Sequence, residues 1–150
     1  MTPQQLAKAL GLTINCVLPE TVHNDQHDED VEIFGTFKPG SNEINIADIR
    51  SQTIYHEIAH AIHYRVFPHH FEFENLLQLE LVADTVAMLL CAFDDTPINT
   101  EQLSFRHATP ADVIQATSTA SIILAYILYT MESRDDKRHT EHVTPVTTTK

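Results

Sequence analysis

Residues 48–66 read DIRSQTIYHEIAHAIHYRV, and this stretch contains two histidines four positions apart, His56 and His60. Residues at positions i and i+4 of an α-helix lie on one face, one turn apart. The two imidazoles can therefore converge on one metal ion, with Glu57 next to them in the chain. The spacing predicts a candidate metal site on a helix.

The same stretch carries start, stop and packing signals of a helix from about 48 to 66. The carboxylate of Asp48 can cap its first turn, and Pro68 stops it near Phe67. One side of the helix is apolar, which indicates that it packs on a core. The residues on that side are Ile54, Ile58, Ala61, Ile62 and Val66.

A second helix is predicted at about 71–92, and it is apolar almost all the way round except for Glu80 and Asp84. Burying two carboxylates without a cation is strongly unfavourable. Glu80 is therefore the candidate third metal ligand. We expect Asp84, one turn further on, to accept a hydrogen bond from the free ring N–H of a ligating histidine, His56. The alternative is that both acids face solvent on an amphipathic helix.

Two histidines, one carboxylate and a water molecule form the ligand set of an open catalytic zinc site. One zinc ion per chain is therefore the expected cofactor. Glu57 can take a proton from the zinc-bound water, which makes it the candidate catalytic base. The sequence does not place a group that stabilises the oxyanion, for which the candidates are Tyr55, His63, Tyr64, His69, His70 and His107.

The HExxH motif followed by Glu-x-x-x-Asp resembles the gluzincin metallopeptidases, over about a third of the chain from Phe34 to Cys91. Within that group, INIADIRSQTIYHEIAHAIHY followed by ELVADTVAMLLC is similar to the ImmA/IrrE metallo-endopeptidases, including Thr53, three positions before the first histidine. Ala59 departs from this pattern, since the group usually has glycine there. The metzincin pattern is excluded because Val66 stands where its third histidine would be.

The resemblance implies a zinc peptidase in which His56, His60 and Glu80 bind the metal. It also implies that Glu57 is the base and that Asp84 contacts one of the ligands without binding the metal. Many members of the ImmA/IrrE group act on repressor proteins of mobile elements or stress regulons, which implies a regulatory protein substrate here. A second class of function stays open. Zinc could be structural in a non-catalytic module that binds or inhibits another protein.

The whole pattern predicts an α+β fold with a small antiparallel sheet, a hairpin at about 31–46, packed on these two helices and on a C-terminal helix at about 110–131. The strand Glu43–Ile46 could be an edge to which an extended peptide adds. Residues 20–30 are polar and acidic and are predicted to be an exposed loop. One domain is expected over 1–132, with a disordered tail over 133–150.

The amino-acid composition limits the classes of partner and the location that we expect for the protein. The chain has 9 basic and 21 acidic residues and a net charge of −12, which opposes nucleic-acid binding and favours a basic protein partner. The N-terminus lacks the pattern of a secretory signal, so we expect a cytoplasmic protein. The last predicted helix is long enough to span a membrane, but its first half carries many polar residues. We therefore expect a core helix and no membrane association.

Overall fold

The computed structural model describes residues 1–25 and 27–141, with side chains up to Arg134. The fold is α+β, as the sequence predicts. Its elements are α1 (Pro3–Ala9), β1 (Thr13–Cys16), β2 (Glu20–Asn24), β3 (Glu29–Ile33), β4 (Gly35–Phe37), β5 (Glu43–Ile46), α2 (Ser51–Val66), α3 (His70–Phe73), α4 (Leu76–Phe93), two 3₁₀ turns (Thr100–Gln102 and Ser104–His107) and α5 (Pro110–Glu141).

The main sheet has three strands in the order β1-β5-β4. β4 and β5 form the predicted hairpin, but β1 pairs in parallel with β5, so the sheet is mixed and not purely antiparallel. β5 is therefore the central strand, and the prediction that Glu43–Ile46 is a free edge is wrong. The edge on the hairpin side is β4.

Residues 20–33 contain a second, two-stranded antiparallel sheet, β2 and β3, which we call the ribbon. The prediction of a loop over 20–30 is wrong. Most side chains of the ribbon are exposed on both of its faces. Because neither face is buried, residues 20–33 lack the alternation of apolar and polar residues that usually marks a strand, and the strands could not be predicted from it.

The core lies between the main sheet and the helices. α2 packs against the sheet and α4, and α4 packs in turn against α5. Each large aliphatic side chain buried in this way contributes about 1.5–3 kcal/mol. The largest buried aliphatic residues are Ile44, Ile46, Ile54, Ile58, Ile62, Leu81, Ile123 and Ile127.

Two helix starts differ from the prediction. Asp48 does not cap α2, because its carboxylate accepts from the backbone N–H of Arg50, which itself precedes the helix. The helix predicted at 71–92 is divided into α3 and α4. Asn75 separates them, since its side chain accepts from the backbone N–H of Gln78 and caps α4.

The last helix continues to Glu141 instead of ending near Met131. The first part of the predicted disordered tail is therefore helical, and residues 142–150 lie outside the described residues. By length and composition, two helical segments could cross a membrane, Leu76–Phe93 and Pro110–Arg134. Buried core helices pass the same test, and more than half of the first segment is buried.

Candidate metal centre

The structure brings the three candidate ligands together. Nε2 of His56 lies 3.0 Å from Nε2 of His60 and 3.1 Å from Oε2 of Glu80. Nε2 of His60 lies 3.2 Å from Oε1 of Glu80. In the described part of the chain, no other group of three His, Cys, Asp or Glu side chains converges so closely.

These separations can be compared with a zinc site. With ligands at about 2.0–2.1 Å from a tetrahedral ion, neighbouring ligand atoms are about 3.3–3.4 Å apart. The separations in the structure are only a few tenths of an ångström shorter. The three ligand atoms therefore fit zinc after small side-chain adjustments.

The protonation state of His56 shows that a positive charge between the three ligand atoms would be stabilising. Its Nδ1 lies 2.9 Å from Oδ1 of Asp84 and donates to it, which leaves a lone pair on Nε2 of the neutral ring. That lone pair faces a carboxylate oxygen of Glu80. The contact is repulsive unless a proton or a metal ion lies between the two atoms.

The pKa values reflect the same requirement when no metal is bound. Burial by itself would lower the pKa of His56, but its hydrogen bonds to Asp84 and Glu80 raise it well above its usual range. For Glu80, burial alone would raise the pKa, and the two imidazoles lower it well below the usual range. A cation bound by the three ligands would take the place of the extra proton on His56.

Asp84 is buried, and both of its carboxylate oxygens have partners. Oδ1 accepts from His56, and Oδ2 accepts from the backbone N–H of Ser104 at 2.7 Å. This second contact holds the carboxylate toward the His56 ring and fixes which ring nitrogen carries the proton. Sequence reasoning missed Ser104, because a backbone donor in an irregular segment leaves no signal in residue type.

Glu57 is 4% exposed, and its Oε2 has no hydrogen-bond partner among the described residues. Burial raises the pKa of Glu57, while the neighbouring imidazoles of His56 and His60 act in the opposite direction. A buried carboxylate oxygen without a donor is costly. Such an oxygen is available to accept a proton from a bound water molecule.

Gly35 on β4 lies directly against this carboxylate. A Cβ atom at position 35 would come within 2.7 Å of Oε1 of Glu57, well inside van der Waals contact. The absence of a side chain therefore lets the edge strand approach the candidate base. No motif or spacing in the sequence links Gly35 to Glu57.

One prediction about the site needs correction. The apolar surroundings of Glu80 predict a buried carboxylate, but its side chain is 33% exposed. The side chains of His56 and His60 are more buried, since only 18% and 11% of their surface is exposed. The centre is therefore partly open to solvent on the Glu80 side.

The candidates for oxyanion stabilisation have other contacts. The hydroxyl of Tyr55 donates to Asp94, His63 is fully buried and bonds His70 at 2.9 Å, and His107 stacks on His27. Tyr64 packs its ring against Phe37 and Phe71, and His69 packs against Phe67 and His70. The contacts of these side chains do not include the three ligand atoms.

Comparisons of the chain with protein-family models, with curated proteins and with solved structures find no match. The resemblance to gluzincins therefore rests on the sequence, on the HExxH motif followed by Glu80 and Asp84.

Proposed function

We propose that this protein is a zinc-dependent metallopeptidase that hydrolyses a peptide bond in a protein substrate. The observation that supports this most directly is the convergence of His56, His60 and Glu80, together with a buried carboxylate oxygen of Glu57 that has no donor among the described residues. A structural zinc site is normally closed by four protein ligands. Three ligands next to a candidate base are typical of a hydrolytic site.

Each residue has a role in this proposal. When bound, zinc would lower the pKa of a coordinated water molecule and polarise the scissile carbonyl. Glu57 accepts a proton from the attacking water and returns it to the leaving nitrogen. Asp84 keeps the proton of His56 on Nδ1, so that Nε2 is free to coordinate.

The edge strand β4 is the proposed site for the substrate backbone. β4 is the outer strand of the main sheet, and Gly35 brings it against Glu57. An extended peptide can add to an exposed edge through main-chain hydrogen bonds. A peptide added along β4 would pass close to the base, which suits an endopeptidase.

The similarity to the ImmA/IrrE group extends the proposal to a cytoplasmic enzyme that cleaves a regulatory protein of a mobile element or a stress response. The net charge of −12 suits a basic substrate. The alternative is a zinc-containing module that captures a basic partner without cleaving it. Both the metal content and the fate of the partner distinguish these possibilities.

The test compares the zinc-loaded wild type with Glu57→Gln on a library of peptides derived from a cellular proteome. New peptide termini that appear with the wild type and not with the variant, at equal zinc content, would support the peptidase. Zinc bound at one ion per chain without any new termini would favour the binding module. Less than about a tenth of a zinc ion per chain would overturn both readings.

A further inference from the structure

The ribbon is attached on both sides of the candidate metal centre. At its base, Ile33 is followed closely by Gly35, which lies against Glu57. At its tip, Glu29 accepts from Arg106 at 3.0 Å, and His27 stacks on His107 with ring centroids 4.1 Å apart. Both partners belong to the Ser104–His107 turn, which also holds Asp84. The ribbon therefore connects the Glu57 side of the centre to the Asp84 side.

One face of the ribbon, which we call the inner face, is turned toward this turn. Val22 pairs with Val31 and Glu20 with Ile33, so these four side chains share a face with Glu29. Glu29 bonds Arg106, which identifies the direction of that face. Val22 and Val31 are 45% and 38% exposed, so the described part of the chain leaves the apolar centre of the inner face uncovered.

A cavity links the inner face to the edge strand. It has a volume of about 190 Å³, and its lining includes Glu20 and Ile33 of the ribbon together with Gly35 and Thr36 of β4. The lining also includes Asn45, which pairs with Thr36 on the sheet face opposite the buried Ile44 and Ile46. A chain segment on the inner face can therefore continue onto this exposed face of β4. Gly35 is the point at which β4 approaches Glu57.

The negative charge of the ribbon favours a partner with basic side chains. Residues 18–37 include no Lys or Arg. An extended segment with basic side chains that lies across the inner face would meet this negative charge and cover the exposed valines. The acidic residues of the ribbon are Glu20, Asp25, Asp28, Glu29, Asp30 and Glu32.

We propose that the inner face of the ribbon binds an extended, basic segment of the protein substrate, whose apolar side chains cover Val22 and Val31 and whose cationic side chains meet Glu20. The proposal rests on the peptidase function and names the class of substrate for the same site. The ribbon then brings the substrate chain to β4, the strand that packs against Glu57 at Gly35.

The experiment measures binding without hydrolysis, in the zinc-loaded Glu57→Gln form of the full chain. The probe is a fluorescein-labelled peptide of seven residues, with lysine at positions 1 and 7, valine at positions 3 and 5 and serine between them, so that the lysines and valines share one face of the extended chain. Its binding is monitored by fluorescence anisotropy. Peptides with glutamate in place of lysine, or serine in place of valine, serve as controls. Because turnover is not needed, failure of the ribbon proposal is separable from failure of the peptidase proposal.

Two changes on the inner face are compared with one on the opposite face. Val22→Thr with Val31→Thr keeps good strand formers and should weaken binding about tenfold. Glu20→Gln should weaken it about threefold. Glu32→Gln removes the same charge from the outer face of the same ribbon, where Glu32 pairs with Thr21, and should change binding less than about twofold. Circular dichroism checks that each variant is folded.

The expected order is therefore a strong loss for the valine pair, a smaller loss for Glu20→Gln and little change for Glu32→Gln. Absence of binding by the lysine–valine peptide would overturn the proposal. Equal losses in Glu20→Gln and Glu32→Gln would also overturn it, because they would show general attraction to a negative surface. Equal binding of the glutamate or serine peptide would contradict the stated chemistry of the partner.

Discussion

Nδ1 of His56 and Oδ1 of Asp84 lie 2.9 Å apart, on the side of the imidazole opposite the nitrogen that faces Glu80. The backbone N–H of Ser104 holds the second oxygen of the same carboxylate. The carboxylate of Asp84 is therefore held between the Ser104–His107 turn and the candidate ligand His56. Its effect on a bound metal would be indirect, through the orientation and basicity of His56.

Asp84→Ala is expected to weaken zinc affinity by about 10–100-fold, because the His56 ring loses the partner that fixes its tautomer. Glu57→Gln should retain zinc with nearly the affinity of the wild type and lose hydrolysis. Chelator competition on both variants measures the difference. Affinity equal to the wild type in Asp84→Ala would mean that the His56 contact does not support metal binding.

The second prediction concerns the zinc content of the protein, which follows from the three candidate ligands. Wild-type protein expressed with sufficient zinc should contain one zinc ion per chain, and His56→Ala, His60→Ala or Glu80→Ala should each lose most of it. His69→Ala is the matched control, since this exposed histidine packs against Phe67 and His70. Elemental analysis decides the point, and retention of full zinc by the ligand variants would refute the assignment.

Gly35→Ala tests the contact between the edge strand and the candidate base. The added Cβ would lie 2.7 Å from Oε1 of Glu57, so the carboxylate or the strand must move. A displacement of about 1 Å at a catalytic group can reduce turnover by about 100-fold. We expect zinc content to remain while kcat falls at least about tenfold. Thr36→Ala, on the next residue of β4, is the control and should have a much smaller effect.

The site and the fold could be predicted from sequence to different extents. The i, i+4 spacing of His56 and His60 is a property of one helix, and Glu80 and Asp84 stand out as acids in an apolar helix. Features that depend on distant pairing were missed. The parallel pairing of β1 with β5 and the Ser104 contact involve backbone groups, which residue type does not encode.

The helix ends and the ribbon were missed for other physical reasons. Asn75 divides the predicted long helix because its side chain caps α4, although the residues on both sides are apolar. The ribbon is acidic and solvent-exposed on both faces, so its hydrophobic pattern resembles that of a loop. Helix α5 extends into a charged segment that shows no apolar period.

The last prediction concerns acid stability and His63. Burial, followed by the nearby charges of His70 and His60, lowers the pKa of His63 to about 4. In the unfolded chain its pKa is near 6.5. Between these values the unfolded chain binds a proton that the folded chain excludes. The free energy of unfolding therefore falls as pH decreases from about 6.5 to 4.

His63→Gln removes this titration and should flatten that part of the pH profile, by an amount on the order of 3 kcal/mol at most. The absolute stability of the variant can be lower, because it also loses the bond to His70. The measurement is urea unfolding at pH 7, 6, 5 and 4.5, with a chelator present so that metal release does not contribute. Parallel profiles for the wild type and His63→Gln would show that His63 titrates alike in both states.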